Sequence, residues 1–300
     1  MSAIQSLRTA TDALSRSPVL FLGGLVYALV LLPQRALQLA AVPFAPALLQ
    51  LVTFFVTPFV LAGVVGMARE ALDGDTSFDT LTATGADRYV DLLLGTLIEF
   101  GIQLAFGVAF LVLALFAVVS GAASGGAGPV VLLGGAVAVL FVLVYLTVLF
   151  LVQFYPVVIV VDGAGPVDGV TGSVDFVRDN VVSTLGYSVM TVILGGLASL
   201  PVTGFAAYRY LTSGAGPGGD TPGPIGGGMS GAGPGAGTPE MAELLAAGTG
   251  LGLSTPEVVV LSLVSVVTTA LFFAFRQTYA TAFYRRNGRT VEERVLADEE

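Results

Sequence analysis

The chain has 300 residues, 55% hydrophobic and 11% charged, with a mean hydropathy of +0.89; a soluble domain of this length carries about 25% charged residues. Its twelve basic residues are all arginine, set against 21 Asp and Glu for a formal net charge of −9, and Cys, His and Trp are absent. That composition excludes disulfides, thiol or imidazole catalysis and His-based metal sites, and it argues against a nucleic-acid partner.

It fits a polytopic membrane protein of a salt-rich cell, where carboxylates stay hydrated and charge crowding is screened. Segment 6–16, "SLRTATDALSR", pairs Leu7 and Leu14 with Arg8, Asp12 and Arg16, which predicts a short amphipathic helix at the membrane interface. The first span follows at 18–33. Its clean apolar run, Pro18 to Leu32, covers only about 22 Å at 1.5 Å per residue, against a hydrocarbon core of about 30 Å. The span is therefore expected to continue past Pro33, with Arg35 snorkelling outward. A cleaved leader is the rival reading of this region; the long amphipathic stretch before it and the five further spans speak against that.

The second span, 47–68, runs into "LDGDTSFDTL" (72–81). Asp73, Asp75, Ser77 and Asp79 alternate as calcium ligands do, but Phe78 stands where an EF-hand needs its turn glycine and Thr84 where it needs glutamate. No metal or other cofactor is expected there. The third span, 92–119, carries Glu99 and, one turn on, Gln103. Its opposite face, Gly101, Ala105 and Ala109, reads as a small-residue surface for close helix approach. Gln153 enters from the fourth span, 130–155.

Between that span and the fifth, 182–205, lies "VDGAGPVDGVTGSVDFVRDN" (161–180). Asp162-Gly163 and Gly165-Pro166 are turn formers. Beyond them Val167, Val170, Val174 and Val177 recur at helical spacing, so an interfacial helix is predicted, with a valine face toward the membrane. On the fifth span, Asn180, Thr184, Ser188, Thr191 and Gly195 form a polar, small-residue stripe. Residues 212–250 are Gly/Pro-rich and read as a flexible linker. The sixth span, 257–284, carries Ser262, Ser265, Thr269 and Arg276 on one face, and a tail, 285–300, closes the chain.

Six spans place both termini on one side. Arg8, Arg16, Arg69, Arg88, Arg178, Arg285, Arg286, Arg289 and Arg294 fall on the side of the termini and only Arg35 and Arg209 on the other, which predicts cytoplasmic termini. The segments 6–21, 80–95 and 169–184 share an aliphatic residue, a nearby Thr, mixed charges and a following span. The whole chain thus parses as three units, each an interfacial helix and a transmembrane hairpin.

The run from Val157 through Asn180 and into the next span resembles a signature of six-span membrane proteins. That group includes uncharacterised proteins of halophilic archaea and, more distantly, the membrane domain attached to glycerophosphodiester phosphodiesterases. The residues that carry the resemblance are Asp162, Gly163, Gly169, Ser173, Arg178 and Asn180. It implies a multi-pass fold and no catalytic residues, and no phosphodiesterase domain is present.

Ionisable groups inside spans are the best functional leads because hydrocarbon penalises them. Glu99 and Arg276 each sit about 10–13 Å in from the side of the termini, and with Gln103 and Gln153 they form the candidate intramembrane cluster. The sequence thus predicts an all-α bundle of six transmembrane helices in the cell membrane. Its expected role is non-enzymatic, an interaction or envelope protein whose partners are the bilayer and an unidentified membrane protein or a second copy. A permease built on the Glu99/Arg276 region is the alternative.

Overall fold

The computed structural model describes residues 2–39, 44–123, 129–212 and 255–288, and among these it is helical with no strand. The helices are α1 (Ser2–Arg16), α2 (Val19–Leu39), α3 (Ala45–Asp73), α4 (Phe78–Asp87), α5 (Tyr89–Ala123), α6 (Pro129–Val152), α7 (Tyr155–Val161), α8 (Pro166–Asp179), α9 (Val181–Thr212) and α10 (Thr255–Asn287). Six stretches are long and apolar enough to cross a membrane: α2, α3, α5, α6 with α7, α9 and α10. Helix is the form such runs must take, since it satisfies every backbone group within the segment. The linker and the end of the tail, 289–300, lie outside the described residues.

α1–α3, α4–α7 and α8–α10 form three units that join as a ring. Each unit opens with a short helix packed against the last long helix of the unit before it: α4 on α3, α8 on α7 and, across the chain ends, α1 on α10. α4 and α8 run back along their partners. Leu81 and Gly85 of α4 lie against Gly63 and Phe59 of α3, and Gly169 of α8 lies against Ile159 of α7. On α1, the Ala3 carbonyl accepts a hydrogen bond from the Tyr279 hydroxyl at 3.2 Å, and Gln5 meets Arg286.

These contacts correct the expected face of α8. Val177 of the expected face is fully buried and Val170 packs partly against the core, but Gly169, Ser173 and Phe176 share the buried side and Val167 is exposed. Small side chains at i and i+4 let the two backbones approach, which a valine stripe would prevent. The matching breaks before the spans fall at Ser17, Arg88 and Asn180, so the second of the three similar segments is three residues out of the register expected from sequence.

The first span of each unit should, by the same ring logic, sit between its own second span and that of the unit before. α2 does so, packed on α3 and α10, and α5 does so on α6 and α3. At the α2–α10 seam a Cβ on Gly24 would lie 2.1 Å from the Ala270 carbonyl oxygen. Among the described residues α9 packs on α10 and has no comparable packing against α6. One seam of three is open. Along its middle α6 exposes Val139, Leu140, Val142, Leu143, Val144 and Leu146, every side except the stripe of Phe141 and Tyr145 that packs on Phe106 of α5. Gly101, Ala105 and Ala109 of α5 are exposed as well, and no atom lies within 4 Å of a Cβ built on Gly101. Among the described residues nothing packs against a Cβ at Gly101.

Candidate intramembrane site

The fourth span does not end at 155; it breaks at Gln153–Phe154 and resumes as α7 through Val161. The break frees backbone groups that hydrocarbon cannot satisfy. Ser173, fully buried on α8, supplies the missing partners: its Oγ accepts from the Phe154 N–H at 3.0 Å and donates to the Leu151 carbonyl at 2.8 Å. The other signature residues gather at the same junction. Asp162 accepts a hydrogen bond from the Tyr284 hydroxyl at 2.5 Å. Gly163, at φ 70°, occupies the left-handed region, which glycine adopts without a Cβ clash, and its carbonyl accepts from Arg88 at 3.2 Å. Asn180 caps α8 through the Phe176 carbonyl at 3.1 Å and reaches the Asn287 carbonyl at 3.4 Å. Arg178 lies on the exposed face of α8. This signature is therefore a joint between α7, α8 and α10. Phe154, Phe176, Tyr187, Tyr279 and Phe283 pack behind it, with Phe154 and Phe283 rings 5.7 Å apart.

On the bilayer side of the joint the structure brings together residues from α5, the α6–α7 break, α9 and α10. The Gln103 amide donates to Glu99 at 3.2 Å. The Tyr155 hydroxyl lies beside the same carboxylate and shares a 3.2 Å hydrogen bond with Thr96. Arg276 is placed so that its charge attracts Glu99 and its guanidinium meets the Tyr187 hydroxyl. Ser188 donates to the Gln153 carbonyl oxygen at 3.3 Å, while the Gln153 amide nitrogen donates to the Phe150 carbonyl at 2.9 Å. Tyr145 stands near Glu99 from α6. All four residues of the predicted cluster thus fall in one region, in two branches: Glu99–Gln103–Arg276, and Gln153 with Ser188.

The tyrosines at 145, 155 and 187 were not anticipated. Each sits within an apolar span next in space to an amide or ion, and a phenol ring reads as an ordinary core residue unless its hydroxyl is asked for a partner.

Arg35 is the larger surprise. It does not snorkel outward. The side chain is 6% exposed and donates from Nη1 to Ser265 at 3.2 Å and to Thr269, so the guanidinium is held between α2 and α10. Next to it Gln34 donates to Gln50 at 3.0 Å and accepts from Thr53 at 3.1 Å. The stripe Ser262, Ser265 and Thr269 was the available signal, since an arginine on an antiparallel neighbour could be met there.

In "LDGDTSFDTL", Asp73 takes two 2.9 Å contacts from Arg285 beside a crevice of about 270 Å³ that Thr9 and Arg286 also line. Thr76 and Thr80 donate to Glu70 at 3.1 and 2.6 Å. Among the described residues no group of acidic side chains is clustered to hold a metal ion.

The chain belongs to the DUF7847 family, a domain of unknown function, whose model matches residues 1–287. No curated protein and no solved structure matches it.

Proposed function

We propose that this DUF7847 member is a non-enzymatic interaction protein of the cell envelope of a halophile, embedded in the cell membrane with both termini cytoplasmic. On this reading it works by receiving a partner from within the plane of the bilayer. The observation that carries the proposal is the open seam: among the described residues two of three equivalent junctions in the ring are packed, and the third, between α6 and α9, is not. The hydroxyls and carboxylates with defined contacts also favour it, since Ser173 serves backbone groups and Asp162 and Asp73 serve Tyr284 and Arg285.

A permease is the second reading, favoured by one feature. The Glu99–Arg276 attraction joins the α5–α6 hairpin to the α9–α10 hairpin, so a rocking of one hairpin against the other would make and break it.

Lipid and metabolite-uptake profiles of a deletion strain complemented with variants separate the two. Val192 lies one turn beyond Ser188 on the same face of α9 and is exposed, so Val192→Trp would plug the seam. The interaction reading expects altered envelope lipids that wild type restores and Val192→Trp does not. An uptake defect for one solute, restored by Val192→Trp but not by Glu99→Gln, would overturn it in favour of transport.

A further inference from the structure

The crevice of about 270 Å³ is lined by Thr9, Leu72, Asp73, Ala282, Arg285 and Arg286. It opens at the end of the bundle that carries the termini, where α1, α3 and α10 meet one another. Leu72 and Ala282 give it an apolar floor, and its rim is charged.

The two arginines of that rim are in different states. Arg285 holds the Asp73 carboxylate through Nη1 and Nη2, at 2.9 Å each, and reaches the Arg69 carbonyl at 3.3 Å. Its charge is balanced and its fork is fixed against α3, so it forms a wall. Among the described residues Arg286 meets only the amide oxygen of Gln5. That partner carries no charge, and one contact leaves most of the N–H donors of a guanidinium to solvent.

Two further arginines flank the opening. Arg69 precedes Asp73 by one turn on the same face of α3, and Arg8 adjoins Thr9 on α1. Both are exposed, and neither pairs with a carboxylate among the described residues. The nearby carboxylates do not restore the balance. Asp73 is taken by Arg285, Glu70 accepts from Thr76 and Thr80, and Asp12 remains against Arg8, Arg69 and Arg286. A chain with a formal net charge of −9 thus holds a local positive excess here. Membrane topology accounts for arginines at this end of the spans; it does not require them to converge from three helices on one crevice.

A guanidinium fork matches the oxygens of carboxylates and phosphates. Walls that face one another from three helices favour an anion whose oxygens diverge tetrahedrally over a flat carboxylate. Salt screens diffuse attraction between exposed charges, so direct contact must hold the anion. We infer that the crevice between α1, α3 and α10 binds a phosphoryl group, held by Arg286 and, from the edges, by Arg69 and Arg8. The group belongs to a lipid headgroup or to a free phosphate. In either case it ties the first helix of the chain to the last, and the site is independent of the α6–α9 seam.

The test uses the full chain in detergent at constant ionic strength, titrated calorimetrically with inorganic phosphate, acetate or chloride. Phosphate should bind saturably, and acetate at least about tenfold more weakly. Arg286→Gln should weaken phosphate binding about ten- to hundredfold, the worth of a hydrogen bond to a charged group. Arg286→Lys keeps the charge and loses the fork, so it should weaken binding about three- to tenfold. Arg69→Gln provides a second loss if Arg286→Gln does not fold. Arg178→Gln removes an exposed arginine of α8 and should change nothing. Native mass spectrometry of the same protein, with a phosphatidate and a diacylglycerol of identical chains, distinguishes the sources. Phosphatidate retained about tenfold over diacylglycerol, with the preference lost in Arg286→Gln, assigns the headgroup. Phosphate binding without that preference assigns a free phosphate. Equal response to phosphate, acetate and chloride would overturn the site, as would an equal loss in Arg178→Gln or no saturable binding of either phosphate or phosphatidate.

Discussion

Ser173→Ala is the sharpest probe of how α8 is held. The hydroxyl is fully buried and serves two backbone groups at the α6–α7 break, the Phe154 N–H at 3.0 Å and the Leu151 carbonyl at 2.8 Å. The substitution leaves both without their partner in a region where water cannot substitute. Each stranded backbone group costs about 1–3 kcal/mol, so the variant should lose about 2–6 kcal/mol. Unfolding in bicelles by steric trapping measures this directly. Thr171→Ala is the matched control on the same helix, because its hydroxyl is exposed and bonds only to carbonyls of its own helix, Val167 and Asp168; it should fall within about 0.5 kcal/mol of wild type. If Ser173→Ala and Thr171→Ala were equal, the break would not depend on α8, and the reading of the signature as a joint would be wrong.

Gly24→Ala should destabilise by about 1–3 kcal/mol or prevent folding, since its Cβ would meet the Ala270 carbonyl. Gly101→Ala, with nothing within 4 Å, should be neutral or stabilise by up to about 1 kcal/mol through helix propensity; melting in detergent ranks the two, and a reversed order would refute the seam assignment. Glu99→Gln and Arg276→Gln should each lose on the order of 2 kcal/mol, reduced by their partial exposure, and the double variant should lose less than the sum. Strict additivity in that double-mutant cycle would show that the two do not interact. Single cysteines at Ser2, Ser230 and Ala297 should react with an impermeant maleimide on intact cells only at 230; labelling at either terminal site would overturn cytoplasmic termini.

The spans were legible because long apolar runs have one viable backbone form in a bilayer. Side-chain direction was less so. Hydropathy assigns Arg35 a penalty for burial and sends it outward, but the hydroxyls that hold it come from Ser265 and Thr269, more than two hundred residues away in the chain. The face of α8 was misread for a related reason. Valines score as the buried side and Val177 is buried, yet the closest approach is made by Gly169 and Ser173, whose value is small size and a well-placed hydroxyl. The converse holds at Gly101, Ala105 and Ala109, where small residues recur at helical spacing but are exposed among the described residues. Glu99, Gln103, Gln153 and Arg276 could be placed at similar depth by counting residues. Their division into two branches could not: Pro156, in the first turn of α7, signals a helix start, but it does not say which way Gln153 turns at the break.

The docking of α1 on α10 has a consequence for how the protein is made. α4 and α8 each fold onto a helix that has already left the ribosome, so their joints can form as synthesis proceeds. α1 emerges first, yet its partners Tyr279 and Arg286 lie 276 and 281 residues later. At about 5–20 residues per second, the part of its face that packs with α10, including Ala10, waits roughly 15 to 60 s for a surface to cover it. During that interval the nascent chain is an incomplete ring with a free amphipathic helix at one end. A chain stopped before α10 could insert five spans and still leave its first helix undocked, a ready mark for quality-control proteases to distinguish finished from unfinished copies.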